Sequence, residues 1–158
     1  MDHCTECDFE YAAHQPPLLL REINEAAGEL AARLRSAARR RGNVSRAHPS
    51  GGWSVLEYSC HVRDVLLVQR DRLLLALVED NPSFARMHRE ERTLLARYAE
   101  QDPGQVAQEL AVANELFGWV AQGISPGDWD RPCLYNFPAP APRTVRWLAQ
   151  HTLHEVRH

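Results

Sequence analysis

SVLEYSCHVRDVLLVQRDRLLLALVED, residues 54–80, decides the fold. It opens on Ser54-Val55-Leu56-Glu57, a capping box: the serine hydroxyl accepts from the backbone N–H three residues on, and the glutamate carboxylate accepts from the serine's own N–H. One helix is therefore expected from Ser54 to Glu79 or Asp80, broken by Asn81-Pro82. Tyr58, His61, Val65 and Val68 recur along it at helical spacing, an inward-facing stripe with a histidine set in it.

Working outward, Leu20, Ile23, Ala27, Leu30 and Leu34 give a second amphipathic helix from about Pro17 to Arg41. Gly42 is expected to stop it, and NVSRAHPSGG (43–52) reads as a breaker-rich loop. MHREERTLLARYAEQ (87–101) reads as a shorter, highly charged helix. Asp102-Pro103-Gly104-Gln105 is another start signal, with aspartate as cap and proline in the first turn, for a helix running to about Gly123. SPGDWDRPCLYNFPAPAP (125–142) holds five of the ten prolines and is expected to be irregular. A last helix begins near Arg143 or Thr144 and runs to the end. Four long amphipathic helices without a convincing alternating strand predict an all-α four-helix bundle, with one extra short helix and a long loop before the last.

At 158 residues and 18.0 kDa the chain fits a single domain spanning 1–158, residues 1–15 forming an N-terminal extension. No apolar run approaches the roughly 20 residues of a membrane span. The start, MDHCTECDFE, lacks the basic and apolar segments of a secretory signal, so cytoplasmic residence is expected. A net charge of -3 argues against nucleic acid as a partner. The run Arg39-Arg40-Arg41 reads as cations complementing a helix C-terminus rather than as a phosphate site. All 18 basic residues are arginine, which removes Schiff-base and lysine-base chemistry. Cys4, Cys7, Cys60 and Cys133 read as thiols or metal ligands.

His154-Glu155-Val156-Arg157-His158 stacks two imidazoles at i and i+4, a spacing suited to one cation. HExxH is also the zincin motif. A zincin, however, takes a third ligand after that helix, and the sequence stops at His158. The third ligand is therefore sought upstream, and His61 is the best candidate. A lone histidine on an apolar stripe is more often a satisfied core residue, and it is the second pair that favours the ligand reading. Three neutral imidazoles suit zinc, nickel, copper or iron(II) and leave a coordination position open.

Trp53-Ser54-x-x-Glu57-x-x-x-His61-x-x-Asp64, followed downstream by Leu153-His154-Glu155-x-x-His158, resembles the DinB/YfiT-like superfamily of metal-dependent enzymes. CHVRDV (60–65), AEQDP (99–103), GDWDR (127–131) and the opening Cys4-x-x-Cys7 extend the resemblance over nearly the whole chain, the last to a subgroup with an N-terminal CxxC. The resemblance implies an up-and-down bundle with one divalent metal, zinc before nickel or iron, held by His61, His154 and His158. It also implies a small-molecule substrate and, in some members, a low-molecular-weight thiol cosubstrate of the mycothiol or bacillithiol kind. His151 departs from the pattern, standing where related sequences often carry an aromatic, and the family's last helix continues past its final ligand; the native chain is expected to extend beyond His158.

Asp64, His151 and Glu155 are the candidate catalytic residues, each with a plainer reading. Asp64 either orients a ligand or forms a salt bridge with Arg63 or Arg157. His151 lines the pocket rather than serving as a fourth ligand. Glu155 is expected to turn away from the metal into a helix-pairing salt bridge before acting as a general base. Trp147, one turn before His151, is the candidate wall of a cofactor or substrate pocket. Cys4 and Cys7, with His3 and His14 nearby, would form a structural metal clip, remain idle thiols or act in redox chemistry; Cys60 is expected to pack in the core. Two functions compete: a metal-dependent transferase activating a thiol, or its hydrolase variant activating water, and a non-enzymatic metal-binding helical module that forms homodimers.

Overall fold

The computed structural model describes residues 3–40, 44–45 and 52–158. Arg41, the Gly42 stop and most of the loop expected over 43–52 lie outside the described residues.

Helix α1 spans Leu18–Arg39, α2 Val55–Val78, α3 Arg89–Leu95, α4 Pro103–Gln122 and α5 Val145–Arg157. The start signals work as read. The Ser54 hydroxyl accepts from the Glu57 N–H at 3.2 Å, and the Glu57 carboxylate accepts from the Ser54 N–H at 2.8 Å. The Asp102 carboxylate accepts from the Gln105 N–H at 2.8 Å, and the Thr144 hydroxyl from the Trp147 N–H at 3.2 Å.

The four long helices form the bundle. Each of α1 and α2 packs on both α4 and α5, whereas α1 and α2 touch each other little. Helices α1 and α2 thus lie across one diagonal and α4 and α5 across the other, which long connections permit. The core is filled by Leu19, Ile23, Ala27, Leu66, Leu73, Leu110, Phe117, Leu148 and Leu153. The buried stripe of α1 is Leu19, Ile23, Ala27, Ala31 and Leu34, with Leu20 and Leu30 at its edge. No described helix is long and apolar enough to cross a membrane.

The proline-rich connection is more regular than its composition suggests. Strands β4, Pro132–Asn136, and β5, Pro140–Thr144, pair antiparallel, and β3, Ser83–Phe84, lies parallel on the other side of β4. Proline cannot donate to a ladder and is tolerated on edges. Pro140 and Pro142 sit on edge strand β5, and Pro132 opens β4. The central strand keeps Cys133 and Tyr135 buried.

Residues 3–10 form a second small hairpin, β1 His3–Cys4 with β2 Phe9–Glu10, and a helical turn follows over Tyr11–Ala13. Asp8 takes a left-handed conformation, φ 61°, which returns the chain so that Phe9 pairs with Cys4. Gln150 and Arg146 of α5 hydrogen-bond to the His14 carbonyl and the Gln15 side chain, holding this extension against α5.

Candidate functional site

Helix α2 delivers His61, 3% exposed, to the face of α5 that carries His151 and Glu155. The residues 151 and 155 are an i, i+4 pair, as are 154 and 158, and three residues of helix turn separate the pairs by about 60°. The tertiary neighbours then differ. His61 Nε2 stands 3.2 Å from one oxygen of Glu155, while the other oxygen faces His151 Nε2 at 3.6 Å and His154 Nδ1 at 3.7 Å. The Tyr58 hydroxyl donates to the Glu155 carbonyl at 2.8 Å, tying α2 to α5 at this level.

His151 is held from three sides. Its ring stacks on Trp147, centroids 4.7 Å apart; Nδ1 shares a 3.1 Å hydrogen bond with the Tyr11 hydroxyl; Nε2 lies 3.3 Å from the Tyr135 hydroxyl. Buried Arg72 donates into that hydroxyl oxygen at 3.2 Å, which leaves the Tyr135 proton to point at Nε2. Nδ1 is then the protonated nitrogen and Nε2 carries the lone pair, an assignment made from the hydrogen-bond network. Burial pushes the His151 pKa down to about 4, against the pull of the Glu155 charge, so the ring is neutral. Burial alone would raise Glu155, but the imidazoles of His154 and His61 hold its carboxyl well below the usual range.

His61, His151, Glu155 and Tyr135 line a cavity of about 200 Å³ completed by Val65, Gln69, Phe137 and the segment from Arg86 to Glu91. His61 and Glu155 also border a wider trench on the side of Trp53 and Tyr58. Two imidazoles and a carboxylate on one cavity floor are a donor set for zinc, iron(II), nickel or manganese. Buried His61 Nδ1 has no hydrogen-bond partner.

The DinB superfamily model matches residues 22–158. The chain belongs to this superfamily. No curated protein matches the chain. Among solved structures, YfiT from Bacillus subtilis, described as a probable metal-dependent hydrolase with an unusual four-helix bundle topology, is similar. The TM-score is 0.70 at 16% identity, over 88% of this chain and 82% of that one. At that identity the likeness is one of fold.

Within this DinB bundle the residues expected from sequence sort differently from expectation. His61, His154 and His158 do not come together as one ligand set: one ligand atom each from Cys4, Cys7, His154 and His158 lie within 4.8 Å of one another, and His61 is outside that group. The physical reason is the N-terminal hairpin, whose Phe9 packs against His154, while His61 of α2 meets Glu155 on the neighbouring face of α5. Glu155, expected to turn away, lies between the histidines instead. Asp64 sits elsewhere, accepting from Arg63 Nε at 2.9 Å and the Tyr98 hydroxyl at 2.6 Å, with Arg92 3.6 Å away; its salt-bridge reading fits. Trp147 does not line the cavity; it buttresses His151, stacked in turn on Tyr11. His3 and His14 pair with Asp8 and Glu22, each at 2.8 Å, not with the cysteines. Cys60 is packed in the core.

Sequence reading missed Tyr11, Tyr135 and Arg72. Tyr135 lies in a segment read as irregular, Tyr11 in an extension without periodicity, and nothing in the sequence sets Arg72 apart from the other arginines of its helix.

Proposed function

We propose that this protein is a metal-dependent enzyme whose divalent cation is held by His61, His151 and Glu155. The single observation that carries the reading is the half-buried Glu155 carboxylate set between His61 Nε2 and His151 Nε2 at the floor of a cavity. A cation bound there would lower the pKa of a nucleophile and polarise a substrate oxygen.

The chain's own residues supply the rest. Tyr11 and Trp147 fix the ring plane and tautomer of His151, keeping Nε2 toward the cavity. Arg72 holds the Tyr135 hydroxyl at the cavity wall; with the His151 Nε2 lone pair given to the cation, the hydroxyl proton would be released from that nitrogen to serve an oxygen that gains charge as the reaction proceeds. The cavity takes a small electrophile, and the adjoining trench, which shares His61 and Glu155, gives room for a low-molecular-weight thiol as nucleophile. Water is the second reading, favoured by the description of YfiT as a probable metal-dependent hydrolase. The same donors serve both nucleophiles.

The test is turnover of a panel of small electrophiles, with and without thiol, by protein reconstituted with zinc, nickel or iron(II). Thiol-dependent turnover lost in His61→Ala and Glu155→Gln but kept in Asp64→Asn is the expected result. Folded His61→Ala and Glu155→Gln proteins that keep full metal content and turnover would overturn the proposal.

A further inference from the structure

We propose that Cys4, Cys7, His154 and His158 bind one zinc ion in a closed tetrahedral site that fastens the N-terminal hairpin to α5. None of its ligands is His61, His151 or Glu155, although His154 Nδ1 lies 3.7 Å from the Glu155 carboxylate and its donor atom also gathers with those of His151 and Glu155.

The donor atoms are already gathered, one from each residue within 4.8 Å of the others. Tetrahedral zinc with sulfur at about 2.3 Å and nitrogen at about 2.0 Å needs ligand atoms about 3.3–3.8 Å apart, a small contraction. The chemistry of the group is otherwise hard to explain. His154 is 8% exposed, yet neither of its ring nitrogens has a hydrogen-bond partner. Buried polar atoms are almost always satisfied, and an imidazole orphaned at both nitrogens beside two sulfurs has the surroundings of a ligand.

The Cys4 sulfur takes backbone hydrogen bonds from Glu6 and Cys7, and the Cys7 sulfur lies beside it. Two neighbouring thiolates repel, and a dication removes that repulsion. Two thiolates with two neutral imidazoles also neutralise the charge of zinc. His158 Nε2 stands 3.2 Å from the Glu6 carboxylate, an outer contact that holds the ring at the hairpin.

The position gives the site a purpose. Phe9 of the hairpin contacts His154, and Tyr11, the next residue but one, reaches His151. An ion fastening residues 4 and 7 to α5 would keep the Tyr11 hydroxyl in register with the cavity while remaining closed to substrate itself.

The test uses the full chain, purified without chelator, with elemental analysis, zinc-edge X-ray absorption and the spectrum of the cobalt-substituted protein. Wild type should show sulfur in the zinc shell and a thiolate-to-cobalt charge-transfer band. Both should survive in His61→Ala. Cys7→Ser, at an exposed position, should lose the band and one zinc per chain, and His154→Ala should weaken zinc retention. Absence of sulfur from the wild-type zinc shell, unchanged zinc content in Cys7→Ser, or a Cys4–Cys7 disulfide in freshly purified protein would each overturn the proposal.

Discussion

Replacing Tyr11 by phenylalanine isolates one hydroxyl. Tyr11 is 3% exposed, its ring stacks on Trp147 at 5.7 Å, and its hydroxyl meets His151 Nδ1 at 3.1 Å. Phenylalanine keeps the ring contacts and leaves the Nδ1–H of a largely enclosed imidazole without an acceptor. An unsatisfied buried donor costs about 1–3 kcal/mol. For a domain of this size each kcal/mol lowers Tm by about 2–4 °C, so a fall centred near 6 °C is expected. The same change frees the ring to rotate and lose the Nε2 orientation; loss of such an outer partner weakens metal binding about 10–100-fold. Differential scanning calorimetry and competition with a chromophoric chelator read the two effects separately, and zinc on the cysteines should be untouched. An unchanged Tm together with unchanged affinity at the cavity would refute the role given to Tyr11.

Other outcomes follow from the same contacts. In metal-stripped protein, His151 has a folded-state pKa of about 4 against 6.5 when unfolded. The unfolded chain therefore takes up a proton that the folded one refuses as pH falls from 6.5 toward 4, and stability should drop by up to about 3 kcal/mol across that window. Chemical denaturation at stepped pH checks this, and His151→Gln should flatten the slope. Glu155, whose folded pKa is depressed, adds a further loss only as pH falls below its unfolded value near 4.5. Ser54→Ala removes one half of the capping box and should cost about 1 kcal/mol in urea unfolding. Asp64→Ala strips the partner from the Tyr98 hydroxyl and Arg63, and should destabilise by about 2–4 kcal/mol while leaving metal content at the cavity unchanged.

The bundle was legible because its signals are local. Ser54 and Asp102 cap the helices they were expected to cap, since a cap is decided within four residues. The strands were not legible, because Pro140 and Pro142 argue against a strand unless one knows that β5 is an edge. At the site, the residue types were legible and the partition was not. α5 carries two overlapping i, i+4 pairs, His151 with Glu155 and His154 with His158, on neighbouring faces. Helical periodicity gives each pair equal standing; only the packing of α2 on one side and of the N-terminal hairpin on the other separates them. One signal did lie in the sequence: Cys4-x-x-Cys7 and His154-x-x-x-His158 have the spacings of the two halves of a Cys2His2 zinc site, parted by almost the whole chain.

An anomalous-difference map from crystals of the zinc-loaded full chain tests the account most directly. Two peaks per chain are predicted, one among His61, His151 and Glu155 and one among Cys4, Cys7, His154 and His158. A single peak coordinated by His61, His154 and His158 would contradict it.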